Sequence, residues 1–273
     1  MFKKFLKAHQ TLKATSSYYC YFVMIDPNPP NFFSGLSGLA LPIPRYKFPV
    51  EYQNTSRLTY YATIFNSIEI NSSFYKIPLK RTIAKWASSV NDNFKFTFKL
   101  FNGITHEKNL EFDNVFIEQF MEAISNIKRK TGCILIQFPP SLKNDNVHQL
   151  DDLLRKIRTS EASDTWNVAV EFRNKGWYND DVYDILDSHK AALVRHDIPS
   201  STTPLINQLS NVMYIRFHGP TGNYRESYTD AFLMEYAEYI KAWLEERKTV
   251  YVYFNNTMGN AFQNLTTLKQ LVF

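Results

Sequence analysis

The chain has 273 residues, enough for one large domain or two small ones, and a single domain of this length can bury a substantial core. Its 31 Lys and Arg against 26 Asp and Glu give a net charge of +5, which permits an anionic ligand or nucleic acid without requiring either. No apolar run is long enough for a transmembrane helix, so no membrane partner is expected, and two cysteines without CxxC or Cys/His spacing exclude a zinc-finger site and suit a reducing cytoplasm.

Residues 1–30 read as an appended extension: a basic amphipathic stretch, an aromatic run around Cys20, then PNPP. No uninterrupted apolar region or small-residue cleavage site marks a signal peptide there. A single domain is expected over 31–273. NFFSGLSGL (31–39) is the first strand and turn, followed by the proline-spaced loop LPIPRYKFP (41–49). A helix over 51–65 then feeds the strand SIEIN (67–71), and a helix over 81–90 feeds KFTFK (95–99). The amphipathic helix 113–130 leads to ILIQF (134–138), and 145–160 leads to VAVEFR (168–173). Helix 179–190 precedes ALVRHD (192–197), the less regular 200–210 precedes MYIRFH (213–218), and helix 229–248 precedes VYVYFN (250–255). A last helix, 260–272, closes the chain. Asp113, Asp145, Asn179 and Thr229 stand at or near helix starts, where their side chains can cap free backbone N–H groups.

Strict alternation implies parallel strands with right-handed crossovers, and eight strands favour a closed TIM-like (β/α)₈ barrel. An open doubly wound sheet finds no support, because neither GxGxxG nor GxxxxGK[ST] occurs.

Seven of these strands end in polar residues of one parity: Glu69 and Asn71; Lys95, Thr97 and Lys99; Gln137; Glu171 and Arg173; Arg195 and Asp197; Arg216 and His218; Tyr253 and Asn255. The other parity is apolar, including Ile70, Phe98, Phe172 and Phe217. Since i and i+2 share a strand face, the apolar parity should meet the helices and the polar parity should point into the barrel, with its last members at the C-terminal mouth. His196, of the opposite parity, is expected to face the helices.

The motifs YYATIFNSIEINSSFYKIPLKRTIAKWASSVNDNFKFTFKLFNGITH (60–106), VEFRNKGWY (170–178), YIRFHGPTGNY (214–224) and VYVYFNN (250–256), in this order, resemble those of the domain-of-unknown-function family 72, the YecE-like proteins. The resemblance runs from about residue 31 to the C-terminus and implies a TIM-barrel-like fold. It implies no reaction, since the family is named for lacking one. The 41–49 loop departs from the commoner pattern, in which a tryptophan follows the first strand's turn.

Read residue by residue, Glu69 and Glu171 form a candidate general acid/base pair, or else carboxylates neutralised by interior cations. His218 is a candidate base, phosphate contact or buried structural histidine. Lys99, Arg173, Arg195 and Arg216 are candidate cations for a phosphate or carboxylate. Asn71, Gln137, Asp197, Tyr224 and Asn255 complete the candidate binding set. Tyr75, Trp177, Tyr178 and Tyr224 either stack on a ligand at the mouth or roof the barrel. A divalent metal on Glu69, Glu171, Asp197 and His218 is disfavoured by the cations among them, and no cofactor is expected. The leading expectation is an enzyme acting on a small phosphorylated or carboxylated substrate. The alternatives are a nucleic-acid-binding or nuclease-like protein and a non-catalytic anion receptor. Four cations against Glu69, Glu171 and Asp197 suggest surplus positive charge, so Arg216→Gln is expected to be tolerated by the fold while anion binding is lost.

Overall fold

The structure, a computed structural model, describes residues 30–161, 163–204, 206 and 210–273. The expected extension over 1–30 therefore lies, Pro30 apart, outside the described residues. Eight strands alternate with helices: β1 (Phe32–Leu36), β2 (Ser67–Ile70), β3 (Lys95–Lys99), β4 (Thr131–Gln137), β5 (Asn167–Glu171), β6 (Ala191–His196), β7 (Val212–Phe217) and β8 (Thr249–Phe254). All pair in parallel in the order β1-β8-β7-β6-β5-β4-β3-β2. A single parallel bridge between Ser37 and Glu69 joins the two ends, so the sheet forms the expected (β/α)₈ barrel.

The helices are α1 (Arg57–Ile64), α2 (Ser72–Tyr75), α3 (Lys80–Ser88), α4 (Asn102–Thr105), α5 (Asn114–Ile124), α6 (Val147–Thr159), α7 (Asp180–Ser188), α8 (Asp230–Glu245) and α9 (Ala261–Val272). α2 and α4 are single turns directly after strand ends. Among the described residues, no helix stands between β6 and β7. Ser56, Asp113, Asn179 and Thr229 cap α1, α5, α7 and α8 through their side-chain oxygens. Asp145 does not cap: it lies in a separate 3-10 turn, Asn144–Asn146, ahead of α6. α1 is shorter than expected because Val50–Tyr52 forms its own 3-10 turn and the Ser56 cap sets the start at Arg57. No helix among the described residues is long and apolar enough to cross a membrane.

The strand faces divide the core. Ile68, Ile70, Phe96, Phe98, Ile136, Val170, Phe172, Ile215, Phe217, Val252 and Phe254 pack with helix residues such as Ile83, Phe120, Leu153 and Leu265. The smaller inner cluster consists of Phe33, Cys133, Leu135, Ala169, Ala192, Val194, Tyr214, Tyr251 and Tyr253. The barrel is thus filled rather than hollow. In its middle layer the Tyr253 hydroxyl lies 2.5 Å from Ser67 Oγ and 2.9 Å from Thr97 Oγ1.

β6 is the exception to the expected parity. Ala192 and Val194 belong to the inner cluster, so His196 has the inward parity and Arg195 the outward one. Arg195 Nη2 donates to the Ile206 carbonyl at 2.7 Å, and its guanidinium lies 5.2 Å from the Trp243 ring of α8. Both faces of AALV are apolar, so only the charged end suggested a parity. A long arginine can bury its stem among helices while its head finds a carbonyl and an aromatic face. Trp177 is also corrected: it is fully buried, stacked on Phe172 at 4.8 Å, with Nε1 donating to the Leu142 carbonyl, and belongs to the outer core rather than the mouth. Tyr178 likewise turns its hydroxyl to the Phe172 and Ser201 carbonyls.

The β1/β2 seam is held mostly by side chains. Asn66 Oδ1 accepts from Ser34 N at 2.9 Å, and its Nδ2 donates to the Phe32 carbonyl at 2.7 Å. The Tyr61 hydroxyl accepts from Leu36 N at 2.7 Å and donates to the Ser67 carbonyl at 3.0 Å. Gly35 permits this approach, since a Cβ there would lie 2.0 Å from the Ser67 carbonyl oxygen and 2.8 Å from the Tyr61 hydroxyl. Tyr61→Phe would leave the buried Leu36 N–H and Ser67 carbonyl unpaired at a seam that, among the described residues, is joined by a single bridge rather than a strand ladder. It should cost about 1–3 kcal/mol in urea unfolding, and a loss within error would show that the hydroxyl does not hold the closure.

Candidate functional site

Burying a charge costs several kcal/mol unless the interior supplies partners, and the upper layer of this barrel supplies them around one guanidinium. Arg216 of β7 is 1% exposed. Its Nη1 donates to Glu171 Oε2 at 2.6 Å, and its Nη2 donates to Glu69 Oε1 at 2.7 Å. It therefore ties β5 and β2 across the barrel. Glu69 also accepts from Ser37 Oγ on Oε1 and from the Tyr214 hydroxyl on Oε2, each at 2.7 Å. Glu171 Oε1 accepts from Arg173 Nε. Both carboxylates are fully buried. For Glu69, burial raises the pKa, but Arg216 together with the Tyr214 and Ser37 hydrogen bonds outweighs it and leaves a net lowering. For Glu171, burial is again opposed, by Arg173, Arg216, His218 and His196, and the carboxyl is held well below its usual range.

His218 lies just past β7 and is fully buried. Its Nε2 is 3.0 Å from Arg173 Nη2. Arginine can only donate, so Nε2 accepts and the ring proton is assigned to Nδ1, which faces Asp197 Oδ1 at 3.4 Å. Burial outweighs the attraction of Glu171 and Asp197 and lowers the His218 pKa to about 4, so the ring is neutral at pH 7.

Above this layer the mouth opens into a cavity of about 200 Å³ lined by Asn71, Phe74, Tyr75, Lys99, Gln137, Arg173, Arg216, Tyr224 and Asn255. Each reaches it from a strand end or the turn that follows. Lys99 Nζ donates to Gln137 Oε1 at 2.7 Å and lies 3.9 Å from the centre of the Phe74 ring. Gln137 Nε2 donates to the Phe138 carbonyl at 2.7 Å, which fixes the amide with its oxygen toward the lysine. Burial and Arg216 lower the Lys99 pKa, Glu171 and Glu69 oppose them, Arg173 adds to the lowering, and the result is about 8. Among the described residues Lys99 has no carboxylate within salt-bridge distance. Tyr224, with φ of 67°, sits in the left-handed region that bulky residues avoid. Its N–H donates to the His218 carbonyl at 2.7 Å, which holds the loop after β7 over the mouth.

Most of the residues expected to meet do so, at different depths. Asn71, Lys99, Gln137, Arg173, Arg216, Tyr224 and Asn255 line the cavity, while Glu69, Glu171 and His218 form the layer beneath. Two do not face the mouth. Arg195 turns to the helices, and Asp197 lies behind His218, accepting from the His218 N–H at 2.8 Å and from the Tyr228 hydroxyl. Tyr214, Ser37 and Phe74 escaped the sequence reading, and His196, expected to face the helices, has the inward parity instead. Tyr214 was legible by parity, two residues before Arg216. Ser37 and Phe74 lie in turns, where no periodicity marks direction. His196 Nε2 lies 2.9 Å from the Phe172 carbonyl. Glu69, Glu171, Asp197 and His218 do not form a metal cage: arginines, hydroxyls and a backbone N–H take up the carboxylate oxygens. Among the described residues no group of three or more His, Cys, Asp or Glu is arranged to hold a metal ion.

The family model for the protein of unknown function DUF72 matches residues 35–273. The chain belongs to the DUF72 family. UPF0759 protein YunF of Bacillus subtilis is 26% identical over 251 residues, spanning 78% of this chain and 84% of that protein. UPF0759 protein YecE of Escherichia coli K12 is 28% identical over 79 residues, 29% of each chain. Crystal structures of DUF72 proteins share the fold. One from Enterococcus faecalis superposes with a TM-score of 0.73 at 22% identity, covering 88% of this chain and 95% of that one. One from Thermotoga maritima superposes with a TM-score of 0.64 at 24% identity, covering 88% and 98%. The DUF72 barrel of this chain thus carries a buried ionic layer beneath a cationic cavity.

The expectation that Arg216 is dispensable for stability is overturned by its burial between Glu69 and Glu171. Arg216→Gln should destabilise the DUF72 barrel by about 3–5 kcal/mol in urea unfolding, because two carboxylates lose their shared cation. A cost below about 1 kcal/mol would mean that Glu69 and Glu171 are not held by this guanidinium.

Acid should act on the same layer. Between pH 6.5 and about 4 the unfolded chain protonates His218 while the folded chain does not, so stability falls as pH falls through that window. Below it, the lowered pKa values of Glu69 and Glu171 continue the loss, since their contribution is complete only above the unfolded carboxylate range. Unfolding free energy measured against pH should decline through both windows, and a flat profile from pH 6.5 to 4 would contradict a buried neutral His218.

Proposed function

We propose that this DUF72 protein binds a small organic anion, phosphorylated or carboxylated, at the C-terminal mouth of its barrel. The observation that carries the reading is the charge of the cavity wall: its ionisable lining side chains are Lys99, Arg173 and Arg216 with the phenols of Tyr75 and Tyr224, and no carboxylate is among them. The two nearest carboxylates are sunk beneath the floor and fully hydrogen-bonded. Arg216 is spent on them and Arg173 in part, which leaves Lys99 as the cation without an acidic partner. In this reading Asn71, Gln137 and Asn255 orient the anion, and Tyr75 and Tyr224 flank it.

The volume suits a group of a few heavy atoms more than a large ligand. Glu69 and Glu171 act as electrostatic anchors here. Proton transfer by either would require it to leave Arg216, and the hydrogen bonds to both favour the ionised form. The cysteine usage supports a reducing compartment as the setting.

Calorimetric titration with inorganic phosphate and with glycerol phosphate tests the site. Lys99→Gln should weaken binding at least about tenfold, or ~1.4 kcal/mol, while unfolding free energy changes by less than about 1 kcal/mol. Equal affinity in wild type and Lys99→Gln, or no anion binding at all, would overturn the reading.

A further inference from the structure

Lys99 lines the cavity and, like Lys95 and Lys269, is paired with a neutral acceptor. Lys80, Lys130, Lys156, Lys241 and Lys248 each face a carboxylate. Lys99 instead faces the neutral oxygen of a glutamine whose orientation is locked by a backbone carbonyl, with an aromatic face on another side. Two arginines share its cavity. Burial and the two arginines favour the uncharged amine over the ammonium ion, against the pull of the Phe74 face and the Gln137 oxygen, and the cavity side of Nζ is open. Such a setting, a lysine partly desolvated beside other cations, is what activates an amine as a nucleophile.

We propose that Lys99 is a nucleophilic amine that condenses with the carbonyl carbon of an aldehyde or ketone borne by the bound anion. The proposal rests on the anion-site reading, since the cationic wall is what would hold such a substrate. The nitrogen lone pair forms the C–N bond, the carbonyl π pair moves to oxygen, and loss of water breaks the C–O bond to leave an imine. Counted from the ammonium ion, one hydrogen stays on nitrogen, two leave with the carbonyl oxygen as water, and the positive charge stays on the iminium. No oxidant or further reactant is needed. Gln137 Oε1, 2.7 Å from Nζ, is placed to accept a hydrogen bond from the iminium N–H, and the Tyr224 hydroxyl borders the same cavity.

Amine availability should rise as pH increases through about 8, the outcome of burial, Arg216 and Arg173 set against Glu171 and Glu69, with His106 nearby and uncharged at that pH. Exposed lysines such as Lys47 and Lys85, which lie outside the cavity, serve as the comparison.

The test is reductive trapping with glyoxylate, an aldehyde that carries a carboxylate, and cyanoborohydride on the full chain near pH 8, followed by peptide mass mapping. The expected result is a carboxymethyl adduct that forms on Lys99 at least about tenfold faster than on exposed lysines. Inorganic phosphate should suppress that adduct and leave the others unchanged. Lys99→Arg should abolish it, because a guanidinium offers no nucleophilic amine. If phosphate binds but Lys99 labels no faster than Lys47 and Lys85, the amine proposal is overturned and the anion site stands. If phosphate neither binds nor protects, the anion-site reading fails and the proposal falls with it.

Discussion

A guanidinium shared by two carboxylates inside a β-barrel is an expensive arrangement, and the mouth of this protein is organised around it. Arg216 reaches Glu171 with one terminal nitrogen and Glu69 with the other, so three strands are tied through one planar group. Moving any of the three charges from water into the interior is unfavourable by itself. The interior returns the loss only because Ser37, Tyr214 and Arg173 occupy further carboxylate lone pairs. A partly satisfied version of this network would be worse than an apolar layer. The geometry of the strand ends is therefore set by hydrogen-bond distances as much as by packing.

This layer lies at the same level as the weakest part of the sheet. β1 and β2 share a single bridge, at Ser37 and Glu69, and both residues also belong to the ionic network. Lower down, Tyr61 and Asn66 replace the missing ladder with side-chain atoms. Closure of the barrel and neutralisation of its charges thus meet at the β1/β2 seam. Proper formation of one supports the other, since Glu69 is positioned by the strand it helps to dock.

The same network shapes the chemistry above it. By drawing both carboxylates below the floor, Arg216 leaves a cavity wall with cations and neutral hydrogen-bonding groups. Its own charge then acts on Lys99 and helps to lower the pKa of that amine to about 8. Burial does the rest, and the nearby glutamates moderate both. A residue that never leaves its ion pairs therefore sets the properties of the one that faces a ligand.

The sequence by itself determined the alternation of strands and helices, the parallel barrel that follows from it, and the facing of most strands. Those properties depend on local periodicity, and Ile70, Phe98, Phe172 and Phe217 leave no doubt about which side is oily. The motifs over 60–106 and 170–256 also led to the family now established for residues 35–273. Periodicity was silent where both faces are apolar. In β6 the run AALV gave no parity, and the direction of Arg195 was decided by Trp243 and the Ile206 carbonyl, supplied from distant segments. Turn residues such as Ser37 and Phe74 have no period to read. Depth was hidden for a different reason. Glu69, Lys99 and Glu171 share one parity, yet two are sealed in ion pairs and one faces the cavity. Only the tertiary structure decides that, because a charge is neutralised by whatever lies within a few ångströms across the barrel, and those partners come from strands far apart in the chain.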